Sequence, residues 1–185
     1  MQYTIYILAE GKSSRMGKDK GLVKINEKEM IAHCIAHVKP LLQEIKIITS
    51  NTAYDKFDLP IISDSVKNNG PAQGIITALE NSKTEKNLIL SCDMPLVNDL
   101  MIRGFDNLIM NSDIVCYEDE YLCPFPGVYS KSILPKWKAE VAAGNNKLQH
   151  LVRQFNYKTL PIEHPALFLN VNTPADLNLA AEKLK

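Results

Sequence analysis

From Leu8 to Lys20 the chain reads LAEGKSSRMGKDK, thirteen residues of which four are basic, two are glycine and two are serine. Such a stretch can bind a polyphosphate. Gly11 and Gly17 permit tight turns, backbone N–H groups and the hydroxyls of Ser13 and Ser14 can donate to phosphate oxygens, and Arg15 and Lys20 can neutralise charge. The plain alternative is a solvated, lysine-rich connection. Neither standard glycine signature is present: G-x-x-x-x-G-K-[ST] would need Ser or Thr where Asp19 stands, and G-x-G-x-x-G has no match. P-loop kinases and Rossmann dehydrogenases are therefore not the leading readings.

Three further groups could act with this loop. In Ser91-Cys92-Asp93-Met94-Pro95 an acid follows an apolar run, where a carboxylate can hold Mg²⁺ alongside water and substrate phosphates, or can simply stabilise the turn before Pro95. Asp64-Ser65 precedes Asn68-Asn69-Gly70-Pro71-Ala72-Gln73-Gly74, a glycine-bearing loop able to wrap a ribose or base, or a long connecting turn. Asn170 and Asn172 are two amides at alternate positions along an apparent strand end, and Thr173 is a ready N-cap ahead of Pro174. His33 and His37, spaced i, i+4, have no third metal ligand in the pattern and read as packing residues. No Ser-His-Asp or Cys-His arrangement follows from spacing.

These groups need a scaffold that collects them, and the pattern supplies one. Tyr3 to Ala9, Ile45 to Thr49, Pro60 to Ser63 and Leu88 to Cys92 are short, nearly continuous apolar runs, as expected of strands buried on both faces. Between them an amphipathic helix runs from Met30 to Leu42, shortened or kinked at Pro40, and a second covers Gly74 to Leu79. A third is expected from Leu100 to Met110 with Asn98 as its N-cap. Alternation with short links predicts an α/β fold, a parallel sheet covered by helices, with ligands at the carboxyl ends of the strands.

The second half is less regular. Ile114 to Tyr117 reads as a strand, and Tyr121 to Tyr129, interrupted by Pro124 and Pro126, as an edge strand or loop. Helical patterns follow around Leu134 to Ala143 and Lys147 to Phe155, with Trp137 as a packing anchor. Strands near Tyr157 to Leu160 and at Leu167 to Leu169, then a helix from Pro174, complete the reading.

Composition narrows the function. The 185 residues, 45% hydrophobic and 23% charged, fit one globular domain. Lys and Arg number 21, as do Asp and Glu, so the electrostatic footprint of a nucleic-acid binder is missing. Cys34, Cys92, Cys116 and Cys123 lack metal or disulfide spacing and read as reduced thiols. The apolar start is too short to span a bilayer and carries no basic leader, so a cytoplasmic location without membrane contact is expected.

Taken in order, LAEGKSSRMGKDKGL, ISDS, GPAQGI, SCDMPL and NVNTPADL resemble the nucleotidyltransferases with a basic N-terminal glycine loop, in particular the molybdenum cofactor guanylyltransferase (MobA) family. The similarity runs from Leu8 to Leu177 and is weakest from Asp113 to Glu163. It implies a single-domain, three-layer α/β/α Rossmann-like fold with a mostly parallel sheet. It also implies transfer of GMP from GTP to molybdopterin-bound molybdenum, with release of pyrophosphate and a requirement for Mg²⁺. Other proteins of molybdenum cofactor synthesis, or the enzymes that receive the cofactor, are the partners it implies.

By the same resemblance, the nucleotide is held by Leu8, Ala9, Gly11, Arg15, Gly17 and Lys20, with Asn51 and Asp64 at the guanosine and Gly70 and Gly74 in the second glycine loop. Asp93 is the metal ligand, Arg15, Lys20 and Asp93 are the catalytic residues, and Asn170 and Asn172 lie near the acceptor. Aligning and neutralising two anions requires no side-chain nucleophile. The family normally has L-A-G-G, whereas Glu10 here replaces the first glycine, so its carboxylate either turns away from the triphosphate or weakens binding. Two rivals follow: a relative that transfers CMP, and a cofactor-binding module whose activity Glu10 has cost.

Overall fold

A computed structural model describes residues 2–9, 19–63 and 70–184. In chain order these form β1 (Thr4–Leu8), the small hairpin β2 (Lys24–Ile25) and β3 (Lys28–Glu29), α1 (Met30–Val38), β4 (Glu44–Ile48) and β5 (Ile61–Ile62). α2 (Gly70–Glu80), β6 (Lys86–Ser91), α3 (Asp99–Arg103), β7 (Ile114–Glu118) and β8 (Leu122–Ser130) follow. α4 (Leu134–Ala142), α5 (Leu148–Val152), β9 (Tyr157–Pro161) and α6 (Pro174–Lys183) complete the described chain.

Seven strands make one sheet in the order β5-β4-β1-β6-β8-β7-β9, parallel except for β8. Ile5, Ile7, Leu88 and Leu90 face one way, into a core closed by Ile31, Cys34 and Val38 of α1 and Met101 and Ile102 of α3. Tyr6, Leu8 and Ile89 face the other way, against Ala72, Ile75 and Leu79 of α2, Trp137 of α4 and Leu151 and Val152 of α5. This period-two division makes three layers, the expected α/β architecture. Trp137 is fully buried between Tyr129 and Phe155 and donates its Nε1–H to the Ala72 carbonyl at 3.1 Å, tying α4 to α2.

Register decides where the site lies. Leu8 stands opposite both Ile48 and Ser91 in the parallel ladders, so the chain emerges from three neighbouring strands at one level. Asn51 and Asp93 follow two of those ends within three residues, and Lys20 lies at the end of the stretch that leaves the third.

The structure corrects several expectations. Leu122–Ser130 is an interior strand and not an edge or a loop; it pairs with β6 only from Gly127 onward, so Pro124 and Pro126 meet no demand for an N–H from that side. α3 stops at Arg103, because the Gly104 N–H closes the helix onto the carbonyls of Leu100 and Met101 and the turn formers Asp106 and Asn107 follow. Leu167 to Leu169 is no strand: Pro165–Phe168 is a 3₁₀ turn, and three consecutive apolar residues cannot by themselves distinguish the two. Gly70 to Gly74 is the start of α2 and not a loop, and α1 ends at Val38, just before Pro40. Among the described residues no helix is long and apolar enough to cross a membrane.

Candidate active site

At the carboxyl edge of the sheet, Lys20 joins residues distant in sequence. Its Nζ donates to Asp93 Oδ2 at 2.8 Å and to Asn172 Oδ1 at 2.5 Å. The Lys20 and Asp93 side chains are only 15% and 18% exposed, so little water competes for this pair. The other Asp93 oxygen accepts from Ser91 Oγ at 2.5 Å, and the Asp93 carbonyl accepts from Val171 N–H at 2.9 Å, which seats the Asn170–Asn172 segment beside the end of β6.

A second cluster fixes the chain just before Lys20. Asp19 Oδ1 accepts from Gly21 N–H at 3.2 Å and from the Tyr54 hydroxyl, while Oδ2 accepts from Asn51 Nδ2 at 2.9 Å. Tyr54 is fully buried, and burial, reinforced by Asp19, raises its phenol well above the ordinary range and keeps it a donor. Gly21 is packed so closely that an added Cβ would lie 2.4 Å from the Tyr54 oxygen and 3.3 Å from Cys92 Sγ. Asp19 and Tyr54 were not singled out by sequence; the available signal was an acid inside an otherwise basic loop, immediately before the Lys-Gly turn.

The other expected site residues separate by position. Leu8 and Ala9 are buried, the Leu8 carbonyl accepts from Cys92 N–H and the Ala9 N–H donates to the Ile48 carbonyl, so both are pinned in the sheet, with the Leu8 side chain in the core under α2 and that of Ala9 in the core under α1. Asn51 caps the Thr52–Phe57 turn through the Ala53 N–H and braces Asp19, spending its amide on positioning. Gly70 opens α2 at φ +73°, a conformation that favours glycine, and Gly74 is buried where a Cβ would meet Leu8 at 3.1 Å. Asn172 reaches Lys20. Asn170 is exposed, with its Nδ2 3.5 Å from the Phe168 carbonyl two residues earlier, and is not brought to the ion pair. Glu10, Gly11, Arg15, Gly17 and Asp64 lie outside the described residues.

Asn172 is held by a helix cap. Thr173 Oγ1 accepts from Asp176 N–H at 3.2 Å, and Asp176 Oδ2 accepts from the N–H groups of Asn172 and Thr173 at 3.0 and 2.8 Å. Thr173→Ala should cost about 1 kcal/mol of stability. The hydrogen bonds from Asn172 and then Thr173 lower the Asp176 pKa, so its stabilisation is complete above the ordinary aspartate value of 3.8 and fades as pH falls through the depressed one. Melting curves of wild type and Asp176→Asn should differ at neutral pH and converge in acid.

Among the described residues at this edge, Asp93 is a carboxylate with the chemistry to take a divalent cation. Asp19 already accepts three hydrogen bonds, whereas Asp93 Oδ2 holds an ammonium, so it is presented to a cation. One carboxylate with water and phosphate oxygens suits Mg²⁺. Cys34, beneath Asp93, is placed as a packing thiol and not as a nucleophile: it is fully buried and its thiol is pushed up to about 12 by burial and then by the Asp93 charge. His33 Nε2 lies 3.0 Å from the Ile25 carbonyl, a packing role. The four cysteines are unpaired.

Residues 5–160 match the family model for the MobA-like NTP transferase domain. A probable molybdenum cofactor guanylyltransferase of Flavobacterium johnsoniae is 38% identical over 179 residues, covering 95% of this chain and 94% of that protein. The molybdenum cofactor guanylyltransferase of Vibrio parahaemolyticus is 34% identical, with coverages of 92% and 91%. The crystal structure of molybdopterin-guanine dinucleotide biosynthesis protein A from Archaeoglobus fulgidus superposes with a TM-score of 0.83 over 98% of this chain and 97% of that one; at 20% identity this likeness speaks to the fold. An ion pair assembled across three strand ends on this sheet, with relatives of this identity over nearly their whole length, leads to one conclusion: the chain belongs to the MobA-like NTP transferase family, among the molybdenum cofactor guanylyltransferases.

Proposed function

We propose that this protein transfers GMP from GTP to molybdopterin-bound molybdenum and releases pyrophosphate. The observation that carries the reading is the convergence of Lys20, Asp93 and Asn172, 73 and 152 residues apart, at the carboxyl edge of the sheet. An oxygen of the acceptor's phosphate forms a bond to the α-phosphorus of GTP. The bond from that phosphorus to its bridging oxygen breaks, and pyrophosphate leaves with the electron pair. Catalysis of such a transfer is alignment and charge neutralisation.

Lys20 supplies positive charge from a braced position: Asp19, Asn51 and Tyr54 fix the residue before it, so the ammonium needs little reordering to meet a phosphate. Asp93 is the metal-holding residue, and Mg²⁺ when bound there supplies further neutralisation of phosphate oxygens. Leu8 and Ala9, like Gly11, Arg15, Gly17 and Asp64, are assigned to the nucleotide from the sequence. Asn172, and more distantly Asn170, face the acceptor. The unpaired, mostly buried cysteines fit a reducing cytoplasm. The guanylyl names of the relatives favour GTP over CTP.

Thermal unfolding with GTP, CTP or ATP, each with and without Mg²⁺, tests the nucleotide. A ligand at 100 times its dissociation constant adds about 2.7 kcal/mol, which should raise the midpoint by roughly 5–10 °C in a domain of this size. A GTP-selective rise, followed by pyrophosphate release when molybdopterin-bound molybdenum is added, is expected. Consumption of CTP alone would overturn the assignment, and no shift with any nucleotide would favour the binding module that Glu10 makes conceivable.

A further inference from the structure

On the α1/α3 face, a cavity of about 380 Å³ opens between α3, the end of β9 and the turn at Pro165–Phe168. Its walls include Met101, Tyr117, Leu160 and Phe168, with Glu163 and His164 exposed at the rim. The aromatic wall is fixed: the Tyr117 hydroxyl donates to the Met101 carbonyl at 2.8 Å, and Phe168 meets the Tyr117 ring edge-on with centroids 4.8 Å apart. Glu163 makes no ion pair among the described residues. Gly104 lets the wall come close, since a Cβ there would stand 3.2 Å from Leu160.

The geometry points to this cavity as the seat of the pterin ring of the acceptor, with the Glu163 carboxylate accepting from the ring's 2-amino and N3–H groups. This inference rests on the guanylyl-transfer reading and deepens it by naming where the acceptor's heterocycle is held. Three observations support it. A flat heteroaromatic body suits an apolar cavity with aromatic walls. The pterin edge presents two parallel donors, and a free carboxylate is the side chain that accepts both.

Placement is the third. The cavity sits at the carboxyl ends of β7 and β9, the same sheet edge as Asp93, and β8 alone separates β7 from β6. Two inter-strand spacings make ~10 Å, comparable to the reach from the phosphate of molybdopterin across its pyran ring to the pterin. The two segments that frame the cavity also carry the site. Asp93 leads to Asn98 at one wall, and Phe168 leads to Asn172, the segments being joined by the hydrogen bond from Val171 N–H to the Asp93 carbonyl.

The test uses the full chain with Glu163→Gln and Phe168→Ala. Glu163 is exposed, so the first change leaves the fold intact; GTP-induced thermal shifts equal to wild type check both variants. In the transfer assay, Glu163→Gln should raise the KM for molybdopterin-bound molybdenum by about tenfold or more, the effect of weakening a charge-assisted pair, with the KM for GTP unchanged. Titration of free pterin, followed by its fluorescence, is the independent arm: wild type should bind it, and both variants should bind it more weakly. Equal pterin affinity in wild type and both variants, or none in wild type, overturns the cavity assignment. Pterin binding that depends on Glu163 without any GMP transfer would instead overturn the reaction and leave the pterin seat standing.

Discussion

Asp93→Asn should lower kcat for GMP transfer by roughly 10²–10³-fold, the range expected when one preorganised electrostatic group is removed. Both carboxylate oxygens are already aimed, Oδ1 by Ser91 and Oδ2 by Lys20, so the side chain is held in the orientation in which it would receive a cation. An amide of the same shape keeps one acceptor but loses the negative charge, and Mg²⁺ binds carboxylates by that charge. The Mg²⁺-dependent part of the GTP thermal shift should disappear with the activity. The fold should persist, because the main-chain bond from Val171 to the Asp93 carbonyl does not involve the side chain. A variant that retained activity within tenfold of wild type, with an unchanged Mg²⁺ requirement, would remove Asp93 from the metal site.

How far the sequence foretold this site depended on whether a residue's role was local. Strand ends were legible because the apolar runs of β1, β4 and β6 are continuous and stop sharply, and the residues just beyond them, Asp93 among them, could be placed at the ligand edge. The cap at Thr173 was legible for the same reason, since its partners lie within three residues. Long-range pairings were not. Asn51 looked free to touch a base, but its amide is committed to Asp19, 32 residues away, and Ala53. Asp19 itself looked like a departure from a phosphate-loop signature, and its structural partner, Tyr54, carries no local mark.

The proline-bearing β8 was misread because pairing decides the matter. Proline is excluded only where a neighbour needs its N–H, and β6 makes no such demand before Gly127. By sequence Gly74 belongs to a glycine-bearing loop able to wrap a ribose or base, yet its missing Cβ serves packing of α2 on Leu8. Asn170 and Asn172 sit two residues apart about the buried Val171, yet only Asn172 reaches Lys20, because this segment is irregular backbone and not a strand.

Lys20→Ala should weaken GTP binding by about 10- to 100-fold, the worth of a charge-assisted hydrogen bond, and Lys18→Ala should weaken it distinctly less. Four basic residues populate the stretch before Gly21, and composition alone gives each the same claim on a phosphate. Lys20 differs in what fixes it. The residue before it is bound by Asn51, Tyr54 and Gly21, and its own ammonium bridges Asp93 and Asn172 with only 15% of the side chain exposed. A cation held in this way has already lost most of its rotamer freedom on folding, so binding a phosphate costs it little more entropy. The same bridge predicts a second effect that a nonspecific loss of charge would not produce. In Lys20→Ala the ammonium no longer competes for Asp93 Oδ2, so Mg²⁺ or Mn²⁺ alone should bind more tightly than to wild type even as GTP binds less. Equal losses for the two lysines would mean that the inner face of the loop is elsewhere. Weaker metal binding in Lys20→Ala would mean that Lys20 presents Asp93 to the cation instead of competing with it.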